Sequence, residues 1–286
     1  MAMDLSWIGR ELGPSPIAWA PETCMLYALG VGAGTDELEF TTENTEGVAL
    51  RVLPTFASCI GRSGWGELDV RSFGSYGAHQ VVHAAQRIEL RRELAPSGRA
   101  LATLRIEGIW DKRVGAQIEM VTTAADPGSG EVLFRSVTTL FVIGEGGFGG
   151  PRGPALGGPR PPRRPPDRSV AHATHSSQAL LFRLSGDHAT IHSDPAVARR
   201  AGFERPILHG LCTFGFAGRA LLAEVCGGDT SRFRVMDARF SRPAYPGDTL
   251  VTEIWAGDER AFFETKNERG ESLVERGVFE FAKAPG

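Results

Sequence analysis

The sequence predicts an α+β protein made of two related units, each an antiparallel sheet wrapped on a central helix. Three observations carry this expectation. A proline- and arginine-rich stretch, PRGPALGGPRPPRRPP at 151–166, divides the 286 residues into two parts of ordinary domain size. The second part contains one long segment that is apolar on every face, ILHGLCTFGFAGRALLAEV at 207–225, followed by four runs of strand length. The first part shows a similar element order, less cleanly.

In chain order, CMLYALGVGAG (24–34) predicts a helix ending in glycines, and strands are expected near 48–53, 86–94, 99–110, 113–124 and 131–143. GEGGFGG (144–150) is a tight-turning exit. The prolines of 151–166 forbid a packed helix or a central strand there, so an extended, solvated connector is expected. QALLFRL (178–184) is an apolar run of strand length. In DPAVARRAG, Asp194 suits a helix cap, Pro195 the first turn and Gly202 the exit. The segment at 207–225 predicts a buried helix, whose Gly210, Gly215 and Gly218 cost propensity and admit close approach of backbone or ligand. RFRVMDARF, DTLVTEIWAG, RAFFETKN and SLVERGVFEFA read as strands parted by turns at YPGD and NERG. A sheet wrapped on a central helix is the hotdog arrangement, and two of them in one chain make a double hotdog. The expected division is 1–150, a linker at 151–168, and 169–286.

Composition bounds the function. The net charge of −3, from 31 basic and 34 acidic residues, gives no sign of nucleic-acid binding. Cys24, Cys59, Cys212 and Cys226 are scattered without a CxxC pair, as in a reduced cytoplasmic protein. No apolar run reaches the ~18 residues of a membrane span. MAMDLSWIGRELG is not expected to be a secretory signal, and the final APG matches no address that a receptor reads.

LSGDHATIHSDP (184–195) gathers Asp187, His188 and His192 within six positions. On a helix, five residues turn through about 500°, which would set Asp187 and His192 roughly 140° apart. On an irregular turn, which Ser, Gly, Asp and Thr favour, they can converge. A carboxyl and an imidazole meeting at one point can hold a water molecule and move its protons. Each residue also has a bland reading: Asp187 as a turn or cap residue, His192 as a satisfied polar side chain. His188 and His192 have metal-ligand spacing only on a helix, which Gly186 opposes. PILHGLC places His209 and Gly210 at the start of the buried helix, where free N–H groups and the dipole suit a developing negative oxygen.

FRLSGD, IHSDP, AGFERPILHGLCTFGFAGRALL, RFSRPAYPGDTL and the following Trp255 resemble the (R)-specific 2-enoyl-CoA hydratases of the MaoC-like group, or hydratase 2. In the first part YALGVGAG, PTF, the HAAQ at 83–86, DKRVGA and GEGGFGG stand in the order of that group's companion domain. The resemblance covers nearly the whole chain, which is similar to the hydratase part of the peroxisomal multifunctional β-oxidation enzyme and its stand-alone bacterial relatives. It implies a degenerate N-terminal hotdog that accommodates the acyl chain and a catalytic C-terminal one. The implied reaction is reversible syn addition of water to a trans-2-enoyl-CoA, giving the (3R)-hydroxyacyl-CoA. The dyad falls on Asp187 and His192 and the oxyanion glycine on Gly210. Substrate contacts fall on His83, Ala84, Lys112, His188, Ala189, Thr190, Ile191 and Phe240. We assign His192 as base and Asp187 as proton donor, with the pair acting as one unit as the alternative. No metal or redox cofactor is implied, and CoA counts as part of the acyl-CoA thioester substrate. A cytoplasmic homodimer is expected.

Two motifs depart from the family pattern. Gly-Asp-x-Asn-Pro-x-His has lost its Asn and Pro, and His-Gly-Glu-Gln has become His83-Ala84-Ala85-Gln86. DKRVGA departs at Arg113 and Val114. The competing expectations are a non-catalytic acyl-CoA-binding partner subunit and a dehydratase acting on carrier-protein thioesters.

Overall fold

The protein is described as a computed structural model over residues 3–66 and 68–284. The first two residues of the MAMDLSWIGRELG segment and the last two of the final APG lie outside that range.

Among the described residues ten strands form one antiparallel sheet: β1 (Glu11–Trp19), β2 (Val81–Leu90), β3 (Gly98–Asp111), β4 (Gly115–Ala125), β5 (Val132–Ile143), β6 (Arg168–Ala173), β7 (Phe233–Phe240), β8 (Thr249–Trp255), β9 (Arg260–Asn267) and β10 (Ser272–Phe281). Their order across the sheet is β1-β3-β4-β5-β2-β7-β10-β9-β8-β6. Read inward from each edge, both halves run first strand, third, fourth, fifth, second. One topology therefore occurs twice, and the two copies meet where β2 pairs with β7, Ala85 opposite Arg239 and Ile88 opposite Met236. The duplication expected from element order is thus visible in the strand order.

Among the described residues six helices accompany the sheet: α1 (Pro21–Gly30), α2 (Leu38–Thr41), α3 (Ala57–Ser63), α4 (Gln178–Phe182), α5 (Pro195–Arg200) and α6 (Gly210–Cys226). The helix expected from the apolar run at 207–225 is α6. It is buried on nearly every face and packs on β6, β7, β8, β10 and across the seam on β2. Two of its glycines are close-approach positions. A methyl at Gly215 would lie 2.4 Å from Val31, and one at Gly218 2.4 Å from Thr55, so the first half seats directly on the backbone of α6. In the first half the corresponding place is held by α3, which packs on β1, β2, β4 and β5. Beyond the short α3 the same sheet face is covered by Phe73 and Tyr76, which close a second cluster with Leu104, Ile106, Met120 and Leu140. A helix wrapped by a sheet, repeated in one chain, is a double hotdog.

Several elements differ from the sequence-based expectation. QALLFRL is not a strand but α4 followed by a 3-10 turn at Arg183–Ser185. Ala179 and Phe182, three apart, are buried while Leu180 is exposed, which is helical spacing, and no residue of QALLF is β-branched. Residues 48–53 form no strand, because Pro54 opens a 3-10 turn and Val52 and Leu53 are buried as its lead-in. The strand expected near 86–94 starts earlier, at Val81. The edge strands β1 and β6 are not evident in the sequence. The first carries Pro14 and Pro16, tolerated only at an edge, and the second is short and mostly exposed. Residues 151–166 have no regular structure, as expected, but they are docked rather than free. Gly158 N–H donates to the Arg276 carbonyl (2.9 Å), Lys112 Nζ to Pro154 (2.7 Å) and Trp255 Nε1 to Arg164 (2.8 Å). Among the described residues no helix is long and apolar enough to cross a membrane.

Candidate active site

The polar turn between α4 and α5 is brought to the seam of the sheet, against the N-terminus of α6. Gly186 adopts φ 108°, in the left-handed region, and reverses the chain after the 3-10 turn. Asp187 Oδ1 then accepts the Ala189 N–H at 3.2 Å. A further 3-10 turn, Thr190–His192, is closed by His192 N–H to the Ala189 carbonyl at 3.1 Å. α5 follows at once. Asp194 caps it by accepting from Ala196 and Val197, with Pro195 in the first turn. These bonds hold the turn without the Asn and Pro of the family pattern.

The side chains of Asp187 and His192 converge, and with His209 they offer ligand atoms all within 4.8 Å of one another. His192 Nδ1 lies 2.9 Å from the carbonyl oxygen of Ile207. A carbonyl can only accept, so Nδ1 carries the hydrogen and Nε2 of the neutral ring is left as an acceptor. His209, which is 1 % exposed, stacks on His192 with ring centroids 3.7 Å apart and donates from Nε2 to the Asp187 carbonyl at 3.1 Å. It thereby ties the start of α6 to the backbone of the turn. Its Nδ1 is buried without a partner among the described residues.

A fourth charged group enters from the other half of the chain. Arg62, in the last turn of α3, places Nη1 2.6 Å from Asp187 Oδ2, and the Asp187 side chain is only 15 % exposed. Arg62 also lies over the Trp65 ring, 5.6 Å from its centroid. No sequence signal pointed to Arg62. It stands 125 positions from Asp187 and outside the motifs of either half.

The electrostatics follow from this packing. Burial alone pushes the Asp187 carboxyl up, but the charges of Arg62, His209 and His192 together hold it below its ordinary value. Burial pushes His192 down, and it pushes His209 down to about 3, with His192 adding to the effect. Since both imidazoles are neutral near pH 7, Arg62 is the charge that keeps Asp187 ionised there. The three converging groups do not suit a cation. The Arg62 guanidinium already occupies the carboxylate, and the two imidazoles stack face to face instead of aiming lone pairs at one point.

Gly210 is the first residue of α6. The geometry of a helix start leaves its N–H without an intrahelical partner, and the His209 side chain makes no cap bond to it. Phe240, at the end of β7, lies over this glycine: a methyl there would be 3.4 Å from the ring. His83, on β2, approaches Phe240 with centroids 4.9 Å apart, so both halves line the same place. Burial and the nearby Arg62 push His83 down to about 4. Ala84 sits at the irregularity in the pairing of β2 with β5. His188, Ala189 and Thr190 are exposed on the turn and Ile191 is half-buried.

Lys112 is not gathered with these residues. It lies at the β3–β4 turn, donates to Pro154, and has Arg152 and Glu119 as its charged neighbours. The adjoining motifs have structural roles. Asp111 accepts from Arg113 and Gly147 through Oδ1 (2.9 and 2.8 Å) and from Gly149 through Oδ2 (2.8 Å), folding GEGGFGG around DKRVGA. Buried Gln86, the last residue of HAAQ, braces β2 on β5 through Ser136 and Thr138.

Known proteins resemble both halves of this chain. Residues 18–144 match the MFE-2 hydratase 2 N-terminal domain, and residues 159–277 match the MaoC like domain. The chain is 41 % identical to 3-hydroxyacyl-thioester dehydratase Y of Mycobacterium tuberculosis, over 93 % of its own length and 92 % of that protein. It is 38 % identical to the peroxisomal enoyl-CoA hydratase 2 of Arabidopsis thaliana, over 87 % of its length and 86 % of that protein. Among solved structures, the MaoC-like dehydratase from Phytophthora capsici superimposes with a TM-score of 0.88 at 29 % identity, covering 99 % of this chain and 98 % of that one.

Proposed function

Because this chain belongs to the MaoC-like family, in its hydratase 2 form, we propose that it adds water reversibly to the double bond of a trans-2-enoyl-CoA. The observation that carries this reading is the convergence of Asp187 and His192 with His209, the residue that precedes Gly210 at the start of α6.

Two acceptors side by side orient a water molecule. Its two hydrogens point to Asp187 and to His192 Nε2, which turns an oxygen lone pair toward a third direction, where C3 of the substrate would sit. The Gly210 N–H donates to the thioester oxygen and, helped by the dipole of α6, stabilises the negative charge that develops there. As the water oxygen bonds to C3, the C2–C3 π pair moves into the enolate and the dyad takes a water proton. Collapse of the enolate re-forms the carbonyl, and C2 takes a proton from the dyad on the same face. Addition is therefore syn, and the hydroxyl is placed in the (3R) configuration expected of the family. The step transfers protons only and calls for no redox change or Lewis acid. His83, Phe240 and the turn residues 188–191 would bracket the acyl-CoA, with the acyl chain directed toward the first half.

The test is incubation of the purified protein with trans-2-enoyl-CoA in deuterated water. The expected product is (3R)-hydroxyacyl-CoA carrying one deuterium at C2. Thioester binding without turnover would support a partner subunit instead. Turnover of acyl-carrier thioesters in strong preference to CoA esters would move the substrate class to carrier proteins.

A further inference from the structure

We infer that Arg62 is a positioning residue that keeps Asp187 a carboxylate throughout turnover, so that His192 alone carries the transferred proton; this rests on the dyad reading above. The inference reverses half of the role assignment made from the sequence, in which Asp187 is the donor.

The geometry supports it from several sides. Asp187 is largely buried, and among the described residues the guanidinium of Arg62 is the one permanent charge in contact with it. The other titratable groups that face the carboxylate are His192 on its own turn, His209 at the start of α6, His83 on β2 and Cys59 on α3. The three imidazoles are pushed down by burial and the Cys59 thiol is pushed up to about 12, so all four are neutral near pH 7. Arg62 is then the charge that, with the Ala189 N–H bond, opposes the desolvation that would otherwise protonate Asp187. The pair also fixes direction. Oδ2 is held by Arg62 and Oδ1 by Ala189 N–H, so the carboxylate plane cannot swing away from the water site. Stacking on Trp65 holds the guanidinium in turn.

The proton path balances without Asp187. His192 Nε2 takes one water proton as the C3–O bond forms, and the resulting imidazolium is stabilised by the adjacent carboxylate and by the Nδ1–H bond to Ile207. It returns the same proton to C2 as the enolate collapses.

Arg62→Gln, Arg62→Lys and Asp187→Asn test this together. Asp187 is followed by the carboxyl ¹³C signal that Asp187→Asn removes, and kcat and KM are measured across pH. The inference expects the Asp187 titration midpoint to move up in Arg62→Gln and kcat at pH 7 to fall by about tenfold or more, with KM little changed. The lost kcat should recover as pH is raised, and Arg62→Lys should stay near wild type in midpoint and rate. An unchanged Asp187 midpoint in Arg62→Gln, with Asp187→Asn inactive, overturns the inference and leaves the dyad standing. Full turnover by Asp187→Asn overturns the dyad and the inference with it. Thermal melting of each variant separates these effects from loss of fold.

Discussion

Gly210→Ala separates catalysis from folding at the oxyanion position. A methyl on this residue would meet the Phe240 ring at 3.4–3.5 Å, ordinary van der Waals contact, so it fits without displacing the core. Alanine is also favoured over glycine in a helix, by up to about 1 kcal/mol. The melting temperature should therefore hold or rise slightly. The methyl fills the space between the amide and Phe240, which the proposed thioester oxygen needs. Losing one such donor typically costs a factor of about 10²–10³ in rate, or about 2.7–4 kcal/mol. Spectrophotometric loss of the conjugated enoyl thioester gives kcat and KM, and a melting curve on the same sample gives the stability. The reasoning predicts a fall in kcat of that size on an intact fold. Unchanged kcat would mean that the thioester oxygen does not sit at Gly210. A steep fall in melting temperature would mean that the packing against Phe240 is tighter than the 3.4 Å contact implies.

Three other outcomes are expected. His192 must be neutral to act as a base and burial lowers its pKa, so the acid limb of kcat/KM should lie below the ordinary histidine value; a limb above pH 6.5 would contradict this. Stability should change in the same direction. His83 and His209 are neutral in the fold, with pKa values of about 4 and about 3, but titrate near 6.5 when unfolded, so the unfolded chain binds more protons below that value. Melting temperature should therefore fall steadily from pH 6.5 toward 4 and stay flat from 6.5 to 8, apart from other groups. Buried Arg219 on α6 pairs with Glu37 and donates to the Val31 carbonyl at 2.8 Å, so Arg219→Leu leaves those acceptors unmatched. Denaturant unfolding should show a loss of about 3 kcal/mol, the lower end for a broken buried pair because Glu37 is partly exposed.

The parts of this protein legible in the sequence are those whose signal is local. The buried helix α6 announces itself by apolar residues on every face, and α5 by a cap, a proline and a closing glycine. Asp187, His192 and Gly210 stand in two short motifs, and a polar turn before a helix start is enough to suggest that they meet. Elements fixed by tertiary context were less legible. QALLF has too few residues to show a period, and its helix is settled when Gln178 donates to the Gly30 carbonyl at 2.7 Å. β1 hides behind two prolines because an edge strand needs fewer ladder bonds. Arg62 lay beyond reach for the same reason. Its partner is on the other half of the chain, and only the docking of the two halves brings them together.

The most direct measurement is a crystal structure of Asp187→Asn soaked with a trans-2-enoyl-CoA, supported by its turnover in solution. The account predicts an intact enoyl thioester with its oxygen about 3 Å from the Gly210 amide and one water between residue 187, His192 Nε2 and C3. A thioester bound away from that amide, or substrate already converted to the hydroxyacyl product in the variant, would contradict it.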